Sequence, residues 1–197
     1  MNAAPLSDAL AELEERWRLH AASTKAGLAP GSDSAAIAAP LEAVGFVPSD
    51  ELEVWFAWQA GQAVPGTTVG PALIPLSVDQ AVDARAQSLE LAESFKVDLD
   101  PGLEPPDLWD PSWLPLTQFA HGGYFAAECR PVREQTSAVW RYETSHMPGR
   151  RIAGSIAELV ATWIRLIDDG YWRWDAERGM WRLSGGLPPA DLQPFQV

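Results

Sequence analysis

The sequence predicts an α+β fold: a single domain with a mixed, mainly antiparallel sheet and helices packed on it. Three observations carry this expectation. Residues Tyr124 to Cys129 and Ala138 to Glu143 alternate in the period-two manner of strands covered on one face. Ile156, Leu159, Val160, Trp163, Ile164 and Ile167 follow the i, i+3, i+4, i+7 spacing of an amphipathic helix. Ser77 with Gln80, and Ser155 with Glu158, form the S-x-x-Q/E pattern in which a hydroxyl and a longer side chain cap a helix start reciprocally.

The elements follow in order. Leu6 to His20 reads as a helix capped by Ser7, with Leu6, Leu10, Leu13 and Trp17 as its apolar stripe. Ala21 to Ser34 is small, polar and glycine-containing, so it reads as a flexible loop. Ile37 to Gly45 is a short helix with Pro40 in its first turn and Gly45 as a left-handed stop. Pro48 breaks the chain and Ser49 caps a new helix. Asp50, Glu51 and Glu53 favour the positive end of its dipole, and Leu52, Val54, Trp55, Phe56 and Trp58 make it apolar nearly all round, up to Gly61. Ala72 to Leu76 reads as an edge strand, where Pro75 is tolerated. A helix from Val78 to Phe95 follows.

The central unit is three short strands and a covering helix. The strands begin at Trp113, Tyr124 and Ala138, with Gly122-Gly123 turning between the first two, and the helix runs from Ser155 to Gly170. Tyr171 to Asp175 and Met180 to Leu183 form a hairpin turning through residues Ala176 to Gly179. Residues 184–197 form an irregular Gly/Pro-rich tail.

Composition narrows the class. A length of 197 residues suits one domain. One cysteine, Cys129, excludes an intramolecular disulfide and suits a reducing compartment. The N-terminus lacks the pattern of a secretion signal, and no apolar run nears the ~18 residues that span a bilayer, so a cytoplasmic protein is expected. Ten tryptophans in one chain suggest that some indoles reach the surface.

The net charge of −13 is unevenly spread. Residues 1–129 hold 5 Lys/Arg and 19 Asp/Glu, while residues 130–197 hold 9 Arg and 8 Asp/Glu. Such acidity disfavours nucleic acid and anionic membranes, because both are bound by neutralising phosphates. It suits a basic protein partner and equally serves solubility.

Two stretches are candidate partner surfaces. Glu90, Glu93, Asp98, Asp100, Glu104, Asp107 and Asp110 make an acidic, proline-stiffened arm, whose ordinary reading is a solvated connection. Trp172, Arg173, Trp174 and Trp181, with Arg182, combine the residue types enriched at binding hot spots, although cross-strand aromatics also serve hairpins structurally. Trp58 and Gln59 are a weaker candidate.

Catalytic and metal patterns fail on spacing. His121-Gly122-Gly123 lacks the G-x-S-x-G nucleophile elbow that an oxyanion loop would serve. Asp98 to Gly102 misplaces the glycine of a calcium loop and sets Pro101 at a required position. His20, His121 and His146 form no metal-binding pair, and Asp168-Asp169 reads as a solvated helix end. Cys129, on the face of Phe125, reads as a buried, inert thiol. No catalytic residue, metal or cofactor is expected.

Taken in order, Val47-Pro48-Ser49-Asp50-Glu51-Leu52, Trp109 to Ala127, Ser137 to Tyr142 and Ser155 to Tyr171 resemble the SUKH superfamily of SMI/KNR type. The resemblance places an SMI/KNR-like domain over residues 36–183, after an N-terminal helix and loop in residues 1–35. It implies one α+β domain that is not an enzyme. Many bacterial members are similar to immunity proteins that bind and neutralise toxins, often nucleases; fungal members are regulators linked to cell-wall synthesis and signalling. A basic toxin domain is thus the expected partner, and a regulatory or scaffold role inside the cell is the alternative. The chain departs from the family pattern at Ala126 to Cys129, where an Asp is common, and at His121, where a small or acidic residue is common.

Burying the six apolar side chains of the Ser155 helix stabilises the fold by roughly 10 kcal/mol before chain entropy is subtracted. Trp163→Ala is expected to cost about 3–5 kcal/mol and to prevent folding. A cooperative urea transition at the wild-type midpoint would refute this.

Overall fold

The computed structural model describes residues 5–97, 109–143 and 149–195. Its elements are α1 (Leu6–Leu19), the single turn α2 (Thr24–Gly27), α3 (Ser34–Ala43), α4 (Asp50–Trp58), β1 (Leu73–Pro75) and α5 (Val78–Val97), then β2 (Trp113–Phe119), β3 (Tyr124–Glu128), β4 (Val139–Tyr142), β5 (Arg150–Ala153), α6 (Ile156–Asp168), β6 (Trp172–Asp175) and β7 (Met180–Leu183), with a 3-10 turn at Gln193–Phe195. The α+β expectation holds. The sheet is a five-stranded meander in the order β1-β2-β3-β4-β5, and β6-β7 form a separate hairpin. Every pairing between these strands is antiparallel, so the expected mixed character is not found.

Local chemistry explains most boundaries. Ser77 and Gln80 cap α5 in both directions, Gln80 N–H to Ser77 Oγ at 3.2 Å and Ser77 N–H to Gln80 Oε1 at 2.9 Å. Ser49 Oγ accepts the Leu52 amide at the start of α4. Ser155 Oγ accepts the Glu158 amide, but Glu158 returns to the Gly154 N–H rather than to that of Ser155. Gly122 and Gly123, at φ +97° and +110°, turn β2 into β3, and a Cβ on Gly123 would lie 2.3 Å from the Tyr142 carbonyl oxygen.

Several expectations need correction. α1 starts at Leu6 with Pro5 as its cap residue, so Ser7 lies inside the first turn and caps nothing. α3 starts at Ser34, capped by Asp33 Oδ1 on the Ala36 amide, which puts Pro40 in the helix interior. α4 ends at Trp58, three residues before Gly61, as Gln59 becomes extended. The segment read as a loop between Ala21 and Ser34 contains α2, with Thr24 and Gly27 buried. β5 was not expected, because Arg150-Arg151-Ile152-Ala153 has no apolar alternation.

The sheet is covered on both sides, not on one. One face carries Leu114, Leu116, Phe119, Phe125, Ala127 and Val139 into the main core, where they meet α1, α4 and α6. A bulge between Pro115 and Thr117 shifts the register, and Leu114 and Leu116 both lie in that core. The other face carries an aromatic cluster of Trp109, Trp113 and Tyr142, with Trp140 and Tyr124 packed against it, and Ala92 and Leu89 of α5. The predicted stripe of α6 is buried along its length. Leu192 and Phe195 fold the tail back onto the main core, and Arg141 Nη1 donates to the Pro194 carbonyl at 2.7 Å.

Glu51 joins three of these elements. Its carboxylate is buried and accepts the Ser137 amide at 2.9 Å, the Ile156 amide at 2.9 Å and the Ala157 amide at 3.0 Å. Two of those donors are the first amides of α6, which have no partner within their own helix. Beside them, Ser49 and Ser137 share a hydrogen bond of 2.8 Å. Glu51→Ala strands these amides and is expected to cost about 3–5 kcal/mol, because each buried unpaired donor costs about 1–3 kcal/mol. Glu51→Gln, which keeps a carbonyl acceptor, should lose less, and Glu53→Ala should stay near wild type. Urea titration of the three variants checks this order.

Candidate protein interface

The acidic arm divides on folding. α5 runs from Val78 to Val97, so Glu90 and Glu93 lie on the helix, within the span expected for it, and only the acids after it belong to the connection. Asp98, Asp100, Glu104 and Asp107 lie outside the described residues. Asp110 is exposed and has a local duty: its Oδ1 accepts the Ser112 amide and its carbonyl accepts the Trp113 amide, an Asx turn that leads into β2.

The exposed side of α5 shows a pattern that the sequence reading missed. Asp79, Asp83 and Glu90 are exposed and, at spacings of four and seven, lie along one crest of the helix. No ion pair joins any of these three to a cation among the described residues. Leu91 and Phe95, four apart on the adjoining flank, remain 44% and 49% exposed. An acidic crest beside two large apolar side chains is the layout of a docking surface, with an apolar anchor and a charged rim. The signal was present in the sequence, but it was divided between a helix read for its buried stripe and an arm read for its charge.

The hairpin sorts its residues by face. Trp172 and Trp181 are each 1% exposed. The Trp181 indole donates to Thr24 Oγ1 at 3.0 Å, and Trp172 lies 6.0 Å from Trp163 between ring centroids. Trp174 is half-buried against Trp181. Arg173 points outward, donating to the Gly170 carbonyl, and Arg182 pairs with Asp175. The tryptophans therefore serve the core, and the arginines form the outer face.

Other polar groups are held by the fold. Gln59 is buried, donating to the Leu76 carbonyl and accepting the Gly61 amide. Trp58 donates to Glu14, which also pairs with Lys25 at 2.7 Å, and the Lys25 ammonium sits 5.2 Å above the Trp58 ring. Asp168 receives Arg16 through two nitrogens, tying α1 to α6. Glu128 takes Arg130 on one oxygen and the Trp140 indole on the other. His121 is exposed, stacked near Phe119 and 4.0 Å from Glu143; His146 lies outside the described residues. Among the described residues no group of three His, Cys, Asp or Glu is placed to hold a metal, and no helix is long and apolar enough to cross a membrane.

No protein-family model matches the chain, and no curated protein matches it.

Cys129 is buried, 3% exposed, and its burial pushes the thiol up to about 12. At pH 8 the native protein should be inert to a thiol reagent such as Ellman's and should react at once when unfolded in urea. The folded state disfavours the thiolate. This contribution to stability is therefore complete below the ordinary thiol value of 9.0 and is lost as pH rises from there towards about 12.

Proposed function

We propose that the chain is a non-catalytic protein-binding domain of the SUKH type, acting inside the cell as an immunity protein that neutralises a basic toxin domain. The observation that carries this reading is the acidic crest of α5, Asp79, Asp83 and Glu90, beside the exposed Leu91 and Phe95. Opposite charge speeds encounter and selects the partner, while apolar anchors hold the complex once water is displaced. The order of sequence motifs, from Pro48-Ser49-Asp50-Glu51 to Ser155-Ile156-Ala157-Glu158, supports the family assignment. The acids of residues 98–107 extend the same charge along the chain.

The test starts with capture by tagged protein at low salt from the native organism. The partner retained should be a basic polypeptide whose expression alone arrests growth and whose effect is relieved by co-expression of this chain. Recovery of housekeeping or signalling proteins without toxicity would overturn the immunity reading. Asp79→Lys, Asp83→Lys and Glu90→Lys together should weaken that complex about tenfold or more at low salt and flatten its salt dependence. Leu91→Ala with Phe95→Ala should raise the dissociation rate and leave the salt dependence unchanged.

A further inference from the structure

A second surface lies on α2 and the hairpin. The turn Val64-Pro65-Gly66-Thr67 is type II: Pro65 fills the second position, Gly66 takes φ +87° at the third, and the Thr67 amide returns to the Val64 carbonyl. This turn faces Ser23, Ala26 and Gly27 of the α2 region and Arg178, Gly179 and Met180 of the β6-β7 turn, across a groove of about 410 Å³. Its lining is mixed, and Val64 and Met180, 54% and 40% exposed, are its large apolar side chains. A pit of about 20 Å³, lined by Ser23, Thr24, Thr67, Thr68, Trp174 and Gly179, shares Ser23, Thr67 and Gly179 with it. A pit of that size holds one small polar atom group among hydroxyls.

Arg178 is the charge at this groove. Its backbone amide is fixed on Asp175 Oδ1, which places the residue in the hairpin turn. Its guanidinium makes no hydrogen bond or ion pair with a described side chain: Asp175, whose charge it feels, already holds Arg182 on Oδ2 and two backbone amides on Oδ1. Glu177 is exposed next to it in sequence, and the chain as a whole carries −13, so a polyanion is repelled. One cation beside two exposed apolar side chains and several hydroxyls matches a single carboxylate next to an apolar side chain. The openness of the walls, with Val64 and Met180 each left about half in water, suits the end of a longer chain rather than an enclosed small molecule.

We propose that this groove captures the C-terminal end of a polypeptide, with an apolar last side chain against Val64 and Met180 and its carboxylate on Arg178. This site is separate from the α5 surface and does not rest on the immunity reading.

The probe is a fluorescein-labelled octapeptide of Gly and Ser ending in Leu, as the free acid and as the C-terminal amide, followed by anisotropy on the whole protein. The free acid should bind about tenfold or more tightly than the amide, since the amide loses the charge-assisted contact. Arg178→Gln, at an exposed turn position and checked for folding by circular dichroism, should reduce the acid to the level of the amide. Met180→Ser should weaken both forms in equal proportion. Equal binding of acid and amide, no binding of the acid, or an Arg178→Gln protein that still prefers the acid would each overturn the proposal. Displacement by octanoate at concentrations as low as those of unlabelled peptide would also overturn it, by assigning the groove to small carboxylic acids.

Discussion

A single buried carboxylate ties the domain together. Glu51 belongs to the first turn of α4 by sequence, where an acid is favoured by its own helix dipole. Yet its three hydrogen bonds go to Ser137, at the entry to β4, and to Ile156 and Ala157, at the start of α6. It thus acts as the long-range cap of the helix that covers the sheet. A buried charge is costly unless fully hydrogen-bonded, and here two of the three amide donors lie at the positive end of α6. The consequence is geometric. α4, the β4 entry and α6 must meet at one point before the carboxylate is satisfied. The second capping box is altered beside it, with Glu158 bonding the Gly154 amide.

The abundance of tryptophan follows from the same architecture. All ten indoles take part in ring contacts. Trp17, Trp58, Trp55, Trp163 and Trp172 form a continuous chain from α1 through α4 and α6 to the hairpin. Trp109, Trp113 and Trp140 fill the opposite face of the sheet. Two apolar layers on either side of a small sheet need bulky residues, because short strands offer few positions per face. Indoles fill the distance between elements with few side chains. Some of their N–H groups, including those of Trp55 and Trp163, are buried with no hydrogen-bond acceptor among the described residues, in surroundings made mostly of apolar side chains.

What could be read from the sequence was the local physics. Period, caps and glycine turns located α5, α6, β2, β3 and the hairpin, because each depends on residues within a few positions of one another. The misreadings have a common origin in competing or distant partners. Pro40 was placed at a helix start because proline is best tolerated there, but Asp33 supplied an earlier cap. β5 was invisible because Arg150 and Arg151 mask its start; β4 recruits it by backbone pairing, and only Ile152 and Ala153 reach the core. Glu51 looked like an ordinary first-turn acid, since nothing nearby in sequence names partners 86, 105 and 106 residues away. At the candidate interface, composition found Glu90 and Glu93 but not Asp79, Asp83, Leu91 and Phe95. All of them lie on the helix expected from Val78 to Phe95; which of its faces stays exposed depends on what packs beneath it.

The division of polar groups bears on where a partner can act. Glu51, Gln59, Asp168 and Glu128 each have their hydrogen-bonding capacity taken up by the fold, and displacing any of them would loosen a junction between elements. A partner that competed for them would have to overcome folding energy as well as desolvation. The acids of the α5 crest have no such duty. They stand on a helix fixed from beneath by Val78, Ala81 and Ala92, so they are rigidly presented and cost no local order when a cation approaches. Such a surface can be rebuilt by substitution without unsettling the core, because the Glu51 junction between α4, the β4 entry and α6 lies apart from it.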